Sequence, residues 1–326
     1  MATTGTTTGR DAPHSTTQYR NRKETTSADS LKEAVQIVEH KIEQAALLIW
    51  DQLPTWRRDN QFIISGYRAD SNSYRSSFAS VLAVHNESVN IWTHVFGATA
   101  FLFGSVWLFQ VVARRYETAS SSDVLVFSCF FTGAVLCLGM SATYHTISNH
   151  SQDVAKWGNK LDYSGIVLLI VGSYVPALYY GLFCHPGLMT IYLGGIFLLG
   201  LACGVVSWVE SFRTPAWRPY RAGIFVGLGA SGVVPVCHAL GMYGYRQLDE
   251  QMGLSWVLLQ GGLYIFGAFL YAARWPERNF PGKFDIWGSS HQLFHILIVF
   301  AAASHLTGMI KAFDHHHAVM GSQCPL

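Results

Sequence analysis

Two histidines four residues apart open the last long apolar run of the chain, in the stretch Ser289-Ser-His-Gln-Leu-Phe-His295. Residues with this spacing lie one above the other on a helix face, so His291 and His295 can point at one metal ion. Polar side chains in hydrocarbon are costly and usually serve a function. The spacing therefore favours a metal site. The alternatives are two histidines that hydrogen-bond between helices, or two at headgroup level.

Membrane-spanning helices must position these histidines, because half of the residues are hydrophobic and only 13% are charged. That balance is typical of a membrane protein rather than of two soluble domains. We expect an all-α membrane protein with seven transmembrane helices. Apolar runs near or above spanning length lie at residues 91–112, 124–144, 166–183, 188–209, 222–243, 254–273 and 293–310.

Positive charge is unequally shared between the two sides of these runs. Eight residues lie in loops on the side of the N-terminus: Lys156, Lys160, Arg213, Arg218, Arg221, Arg274, Arg278 and Lys283. The other side has four, Arg114, Arg115, Arg246 and Lys311. Because positive loops tend to stay in the cytosol, we predict a cytosolic N-terminus and an extracellular or lumenal C-terminus. Plasma membrane and endoplasmic reticulum both fit this topology.

The segments outside the spans have simple expected roles. Residues 1–30 are rich in Ser and Thr and are predicted to be disordered. Residues 31–90 should form a cytosolic amphipathic helix, ending near Leu53-Pro54, and a linker. The membrane domain then covers residues 91–312 and a short outer tail residues 313–326. The net charge is only +2, without a basic block, which excludes nucleic acid as a partner.

The predicted orientation brings a third histidine to the same depth. The second span runs inward and ends in Ser141-Ala-Thr-Tyr-His145, while the seventh runs outward from His291 and His295. Three imidazoles with an open fourth position are the ligands of a catalytic zinc site, in which the pKa of bound water falls to about 7. We therefore predict that His145, His291 and His295 bind Zn²⁺.

The predicted ligand helix has no general base of its own, because Gln292 stands where HExxH peptidases keep a glutamate. Asp162 begins the third span at the same depth and could take a proton from zinc-bound water. Its other interpretations are an ion pair with Lys160 and a helix N-cap. Ser141 shares a helix face with His145. Asp162 and Ser141 are thus the candidate catalytic residues.

Other polar residues are assigned structural roles. Glu87 is expected to join the N-terminal segment to the bundle. His238 and His305 should hydrogen-bond between helices, and the run 315–317 of three histidines should be a solvated tail. The six cysteines contain no CxxC pair, which argues against a disulfide framework or a thiolate zinc site. The GxxxG spacings at 200–204 and 223–227 favour close packing inside the bundle, with a homodimer as the alternative.

Several motifs together resemble the progestin and adipoQ receptor family, also called the haemolysin III-related family. They are His85-Asn-Glu-Ser-Val-Asn-Ile-Trp-Thr-His94, Ser141-xxx-His145, Leu161-Asp-Tyr-Ser-Gly165 and Ser290-His-Gln-Leu-Phe-His295, together with the segment from Leu53 to Tyr67. The chain resembles the adiponectin-receptor branch, and its Ser/Thr-rich start and short tail are similar to the fungal members tied to zinc and lipid homeostasis. Gln61 and Ser88 depart from the relatives, which often have Glu and Thr there.

The resemblance implies seven transmembrane helices, zinc held by His145, His291 and His295, and Ser141 and Asp162 close to the metal. It also implies ceramidase activity, because the family resembles the alkaline ceramidases in its Ser, His, Asp and HxxxH pattern.

We therefore predict a receptor-like intramembrane zinc hydrolase that cleaves the amide of a ceramide-type lipid, entering sideways from the bilayer, and releases a free fatty acid. Asp162 would accept the proton and Ser141 would donate a hydrogen bond to the oxyanion. The alternative is a receptor or sensor with structural zinc and an extracellular protein ligand. A zinc or proton transporter is disfavoured, since the outer half has few polar groups beyond His238 and His305.

Overall fold

The computed structural model describes residues 47–213 and 217–324. Within these ranges, seven segments are long and apolar enough to cross a membrane, and the extended backbone is limited to one antiparallel bridge between Leu48 and Tyr67. The predicted all-α protein with seven transmembrane helices is therefore confirmed. The helices are α1 Tyr74–Ser80, α2 Ser88–Arg115, α3 Ser121–Ile147, α4 Gln152–Gly181, α5 Pro186–Trp208, α6 Arg218–Ala230, α7 Val233–Met252, α8 Leu254–Ala273 and α9 Ser290–Ala318.

Most of these helices extend beyond the apolar runs, because hydrophobicity marks only the part in hydrocarbon whereas local signals set the ends. Ser120 and Asp123 form a capping box at the start of α3, and Pro186 occupies the first turn of α5. Gly253 adopts a left-handed conformation, with φ of 68°, and separates α7 from α8. Inside the bilayer a helix satisfies its own backbone hydrogen bonds, which explains why the apolar runs are helical.

Helices α3 and α9 are the spans most deeply buried by other helices. α3 packs on α2 and α4, and α9 packs on α2, α4, α7 and α8. Helices α3 and α4 approach each other closely: a Cβ at Gly165 would lie 2.8 Å from the Cα of Cys137. Gly165 is therefore a contact point between the helices that carry Ser141 and Asp162.

The GxxxG spacings do not mark such contacts, apart from Gly200 of α5, which approaches the side chain of Val171. A Cβ at Gly204, Gly223 or Gly227 would have open space around it. The prediction of close packing at 223–227 was therefore wrong. Spacing alone does not say which face of a helix meets a neighbour.

The fifth span, predicted from the run 222–243, consists of two helices. It breaks between α6 and α7, where Gly232 approaches the ring of Tyr174. α6 packs on α4 and α5, whereas α7 packs on α4, α8 and α9.

The predicted amphipathic helix falls mainly outside the described residues. Its final part, from residue 47 to Leu53, is not α-helical but contains the bridge at Leu48 and a 3-10 turn at Trp50–Gln52. The backbone of Leu48 and Trp50 bonds instead to Tyr67 and Ile64. These long-range backbone bonds replace the helical ones.

A disulfide between Cys184 and Cys324 joins the loop after α4 to the chain that follows α9. The expectation drawn from cysteine spacing missed it, because the two residues are 140 positions apart and only the fold brings them together. Cys129, Cys137, Cys203 and Cys237 are free, as expected. Two of these, Cys137 and Cys203, are buried.

The histidine run at the end of α9 is not a solvated tail, and this prediction was wrong. His316 and His317 are buried, and His317 Nε2 lies 3.2 Å from Asp123 Oδ1. The Tyr180 hydroxyl donates to the same Asp123 oxygen. These contacts hold the last polar turns of α9 against α3 and α4.

Candidate metal centre

Three of the predicted site residues meet at one end of the bundle. The ring centroids of His145, His291 and His295 lie 4.7–5.0 Å apart. Each ring offers one nitrogen, and these three atoms lie within 4.8 Å of one another. His145 and His295 are buried and His291 is half-buried. The structure thus gathers the whole predicted ligand set in one cluster.

The start of α9 is held firmly, which places His291 and His295. Ser289 and Gln292 form a capping box, and the Gln292 amide also donates to the carbonyls of Asn86 and Ile286. The Glu277 carboxylate accepts hydrogen bonds from the backbone N–H and hydroxyl of Ser290. Gln292 therefore anchors the start of α9. An amide can both donate and accept these hydrogen bonds, which gives Gln292 a structural role at the position that holds the catalytic glutamate in HExxH peptidases.

The buried histidines are each held through Nδ1. His145 Nδ1 lies 2.7 Å from the Glu87 carboxylate, and His295 Nδ1 lies 3.3 Å from the Asn90 carbonyl. An acceptor on Nδ1 puts the proton there and leaves Nε2 with a free lone pair. His145 Nε2 is buried and has no hydrogen-bond partner. A buried ring nitrogen of this kind is suited to bind a metal ion.

The backbone of His145 is fixed as well. The guanidinium of Arg68 donates to the carbonyls of His145 and Thr146, at 2.6 and 3.0 Å. These carbonyls belong to the last turn of α3, where a cation is favourable. Burial lowers the pKa of Arg68 to about 10, against the opposing influence of Glu87, so the side chain stays charged at neutral pH.

Asp162 and Ser141 lie beside the cluster. The Asp162 carboxylate interacts with the Ser141 hydroxyl and with His145. Ser141 is buried and Asp162 is half-buried. Lys160 forms its ion pair with Glu210 rather than with Asp162, and α4 already begins at Gln152, ten residues earlier. Both alternatives for Asp162, an ion pair with Lys160 and a helix N-cap, are therefore wrong.

Sequence reasoning missed two residues of this site. The sequence assigns Arg68 no role, and it predicts Glu87 only as a link between the N-terminal segment and the bundle. Burial alone would raise the pKa of Glu87, but the nearby His145 holds it below its ordinary value. The signal that could have indicated a role for Glu87 is its spacing of three residues from Asn90, which lets the two side chains meet on one helix face. In the structure the Asn90 amide donates to the Glu87 carboxylate at 2.7 Å.

Two other histidines do what the sequence predicts. His238 bonds to the Tyr192 hydroxyl and His305 to the Gln260 amide, each at 2.8 Å, so both connect neighbouring helices. His94, the last residue of the first family motif, is buried and stacked on His295, with ring centroids 3.9 Å apart.

Fold and site together define a class, the multi-pass membrane proteins with a buried histidine cluster at one end of a seven-helix bundle. A family model described as "Haemolysin-III related" matches residues 82–306, which include all five predicted site residues. The chain therefore belongs to the haemolysin-III related family, the progestin and adipoQ receptor family that its motifs indicate.

Curated relatives agree with this assignment. The chain is 44% identical over 280 residues to the ADIPOR-like receptor IZH2 of Saccharomyces cerevisiae, covering 84% of this chain and 86% of the relative. It is 45% identical over 275 residues to the adiponectin receptor protein of Drosophila melanogaster, covering 84% of this chain but only 61% of that longer protein. Heptahelical transmembrane protein 4 of Arabidopsis thaliana is 31% identical over 333 residues, covering 79% of this chain and 86% of that protein.

Proposed function

We propose that this receptor-like membrane protein is a zinc-dependent amide hydrolase acting on ceramide-type lipids. The observation that supports this most is the cluster of His145, His291 and His295 with Asp162 and Ser141 beside it. A structural zinc site is closed by a fourth side chain, whereas a catalytic site has three protein ligands and an open position.

The donor set fits zinc. A tetrahedral site with Zn–N distances of about 2.0–2.1 Å needs ligand nitrogens about 3.4 Å apart. The three nitrogens lie within 4.8 Å of one another, so small side-chain rotations would complete the site. The orphaned Nε2 of His145 would gain its missing partner. Glu87 and the Asn90 carbonyl would act as outer acceptors that orient the rings.

Zinc bound there would polarise the amide carbonyl and acidify a water molecule. Asp162, half-buried beside the cluster, would take the proton released from that water. Ser141 has a single hydroxyl hydrogen, and the nearby Asp162 carboxylate would attract it while ionised. Once protonated, Asp162 can donate to the Ser141 oxygen. The Ser141 hydrogen is then free to stabilise negative charge on the carbonyl oxygen. As the C–N bond breaks, Asp162 would pass its proton to the departing amine nitrogen.

The broken fifth span supports sideways entry of a lipid. α6 packs on α4 and α5, while α7 packs on α4, α8 and α9. The glycines facing open space include Gly223 and Gly227 on α6 and Gly261 and Gly262 on α8. Asp162 of α4 and His291 of α9 are the half-buried members of the site. A lipid amide could approach these two side chains from the bilayer without passing through water.

The site would face the cytosol. The Cys184–Cys324 disulfide lies at the other end of the bundle, after α4 and beyond α9, whereas the histidine cluster lies where α3 ends and α9 begins. Disulfides persist in oxidising compartments. The bond therefore supports the orientation drawn from positive charge, with the C-terminus outside the cytosol.

A receptor or sensor with structural zinc is the second candidate, favoured by the names of the yeast and fly relatives. Transport remains disfavoured despite the polar groups around Asp123. Along α3, the stretch between Asp123 and Ser141 contributes a series of buried apolar residues: Val126, Phe127, Phe130, Phe131, Ala134, Cys137 and Leu138. Over about 27 Å at the helical rise, the buried side chains of this segment offer an ion only the Cys137 thiol.

Incubation of purified, zinc-loaded protein with a ceramide in lipid nanodiscs tests the proposal. We expect fatty acid and sphingoid base to appear in equal amounts, and a chelator to stop their release. A protein that holds one zinc ion and releases neither product from any ceramide would favour the sensor.

A further inference from the structure

The segment preceding the first span holds His145 at two points. Arg68 binds the backbone carbonyl of His145, and Glu87 Oε2 lies 2.7 Å from its ring nitrogen Nδ1. Both contacts cross a large separation in sequence, 77 residues for Arg68 and 58 for Glu87. One backbone contact and one side-chain contact leave His145 little freedom of position or ring rotation.

The Glu87 carboxylate is itself oriented toward the ring. Asn90, one turn further along α2, donates to the same oxygen that faces His145, at 2.7 Å. Arg68, a nearby cation, donates to two carbonyls of α3 and to the hydroxyls of Ser80 and Ser148. Because these hydrogen bonds direct Arg68 toward other groups, the Glu87 carboxylate is available to the imidazole of His145.

A carboxylate on one ring nitrogen has a defined effect on the other. It holds the proton on Nδ1, so the lone pair resides on Nε2, and it fixes the direction in which that lone pair points. His145 Nε2 is the buried nitrogen without a partner. The remaining two histidines are adjacent on α9 and share the rigid start of that helix, whereas His145 approaches from α3 and needs its own orienting group.

We infer that Glu87 is a positioning residue that orients His145 for metal binding, beyond its predicted role as a link between the N-terminal segment and the bundle. The inference rests on the proposed zinc site. It adds that the segment before the first span determines the affinity of the site, although none of its side chains is a ligand.

Zinc affinity of full-length protein, measured by competition with a chelator, tests this. Glu87→Gln should weaken zinc binding about 10- to 100-fold, the usual effect of removing an outer-shell partner of a ligand. Asp70→Asn is the matched control: it also removes a carboxylate from the N-terminal segment, but Asp70 pairs with Arg57 away from the site. Its zinc affinity should equal that of the wild type.

Thermal stability of the zinc-free variants separates positioning from a folding role. Glu87→Gln and wild type should unfold at similar temperatures without zinc and differ when zinc is present, because ligand binding stabilises only the folded state in proportion to its affinity. A loss of stability of equal size with and without zinc, together with unchanged zinc affinity, would overturn the inference.

Glu87→Asp covers the case in which the Gln variant does not fold. It keeps the charge but shortens the side chain by one methylene, so the carboxylate no longer reaches Nδ1 and zinc affinity should again fall. Wild-type affinity in Glu87→Asp would overturn the inference while leaving the zinc proposal intact. A wild-type protein that binds no zinc would instead refute the proposed site itself.

Discussion

Replacing Gly165 with Ala should separate the two proposed catalytic residues without touching a ligand. A Cβ at this position would lie 2.8 Å from the Cα and 3.2 Å from the carbonyl oxygen of Cys137. Carbon atoms in contact need about 3.5 Å, and both neighbouring atoms are backbone. The helices α3 and α4 must therefore move apart by about 0.7 Å, the difference between the contact distance of about 3.5 Å and the 2.8 Å from the added Cβ to the Cys137 Cα.

That displacement reaches the site. Asp162 lies three residues from Gly165 and Ser141 four residues from Cys137, less than two helical turns in each case. The Ser141 hydroxyl and the Asp162 carboxylate, which interact in the wild type, would move apart by a similar distance. We expect ceramide hydrolysis to fall by about 10- to 100-fold, since a misplacement of about 1 Å can cost 10²-fold. Zinc should be retained, because the ligands lie on α3 and α9.

Two matched variants make this assay specific. Gly139→Ala makes the same change on α3, where the added carbon has no neighbour within 4 Å, and should hydrolyse ceramide at the wild-type rate. Gly172→Ala creates a comparable clash with the Cys129 carbonyl, two turns further from the site, and should lower stability more than activity. Overpacking costs about 1–3 kcal/mol in each clashing variant. A Gly165→Ala protein as active as Gly139→Ala would refute the reasoning.

Two further predictions concern the metal and the topology. Replacing any one of the three predicted ligands, His145, His291 or His295, by Ala should sharply lower bound zinc, measured by elemental analysis, and lower the melting temperature. The control His305→Ala should keep its zinc. Unchanged zinc in all three ligand variants would eliminate the site. A tag at the N-terminus should be protected in intact cells and a tag after Leu326 accessible, scored with an impermeant reagent on plasma-membrane protein. An accessible N-terminal tag would reverse the orientation and place the histidines on the outer side.

The number of spans and the histidine cluster were predictable because each follows from a local or repeating signal. Seven apolar runs correspond to seven spans, and HxxxH puts His291 and His295 on one face regardless of the rest of the fold. His145 could be added because successive spans alternate in direction, which puts the end of the second span and the start of the seventh on the same side. The family motifs supported the same residues.

The rest depended on tertiary contacts that spacing does not encode. Glu87 became part of the site only because the segment before α2 folds back onto the end of α3. The burial of His317 and the Cys184–Cys324 bond both require the end of the chain to meet α3 and the loop after α4. Residues 165 and 223 are both glycines, yet only Gly165 approaches another helix.

The most direct test of zinc-dependent hydrolysis compares fatty-acid release by purified wild-type protein and Asp162→Asn, each loaded with zinc to the same level. The Asn side chain keeps nearly the same shape but cannot accept the proton. Hydrolysis should fall by about 10²- to 10⁴-fold, the usual contribution of a positioned acid or base, while bound zinc stays constant. Equal rates per zinc-loaded molecule in the two proteins would contradict the assignment of Asp162 as the proton acceptor.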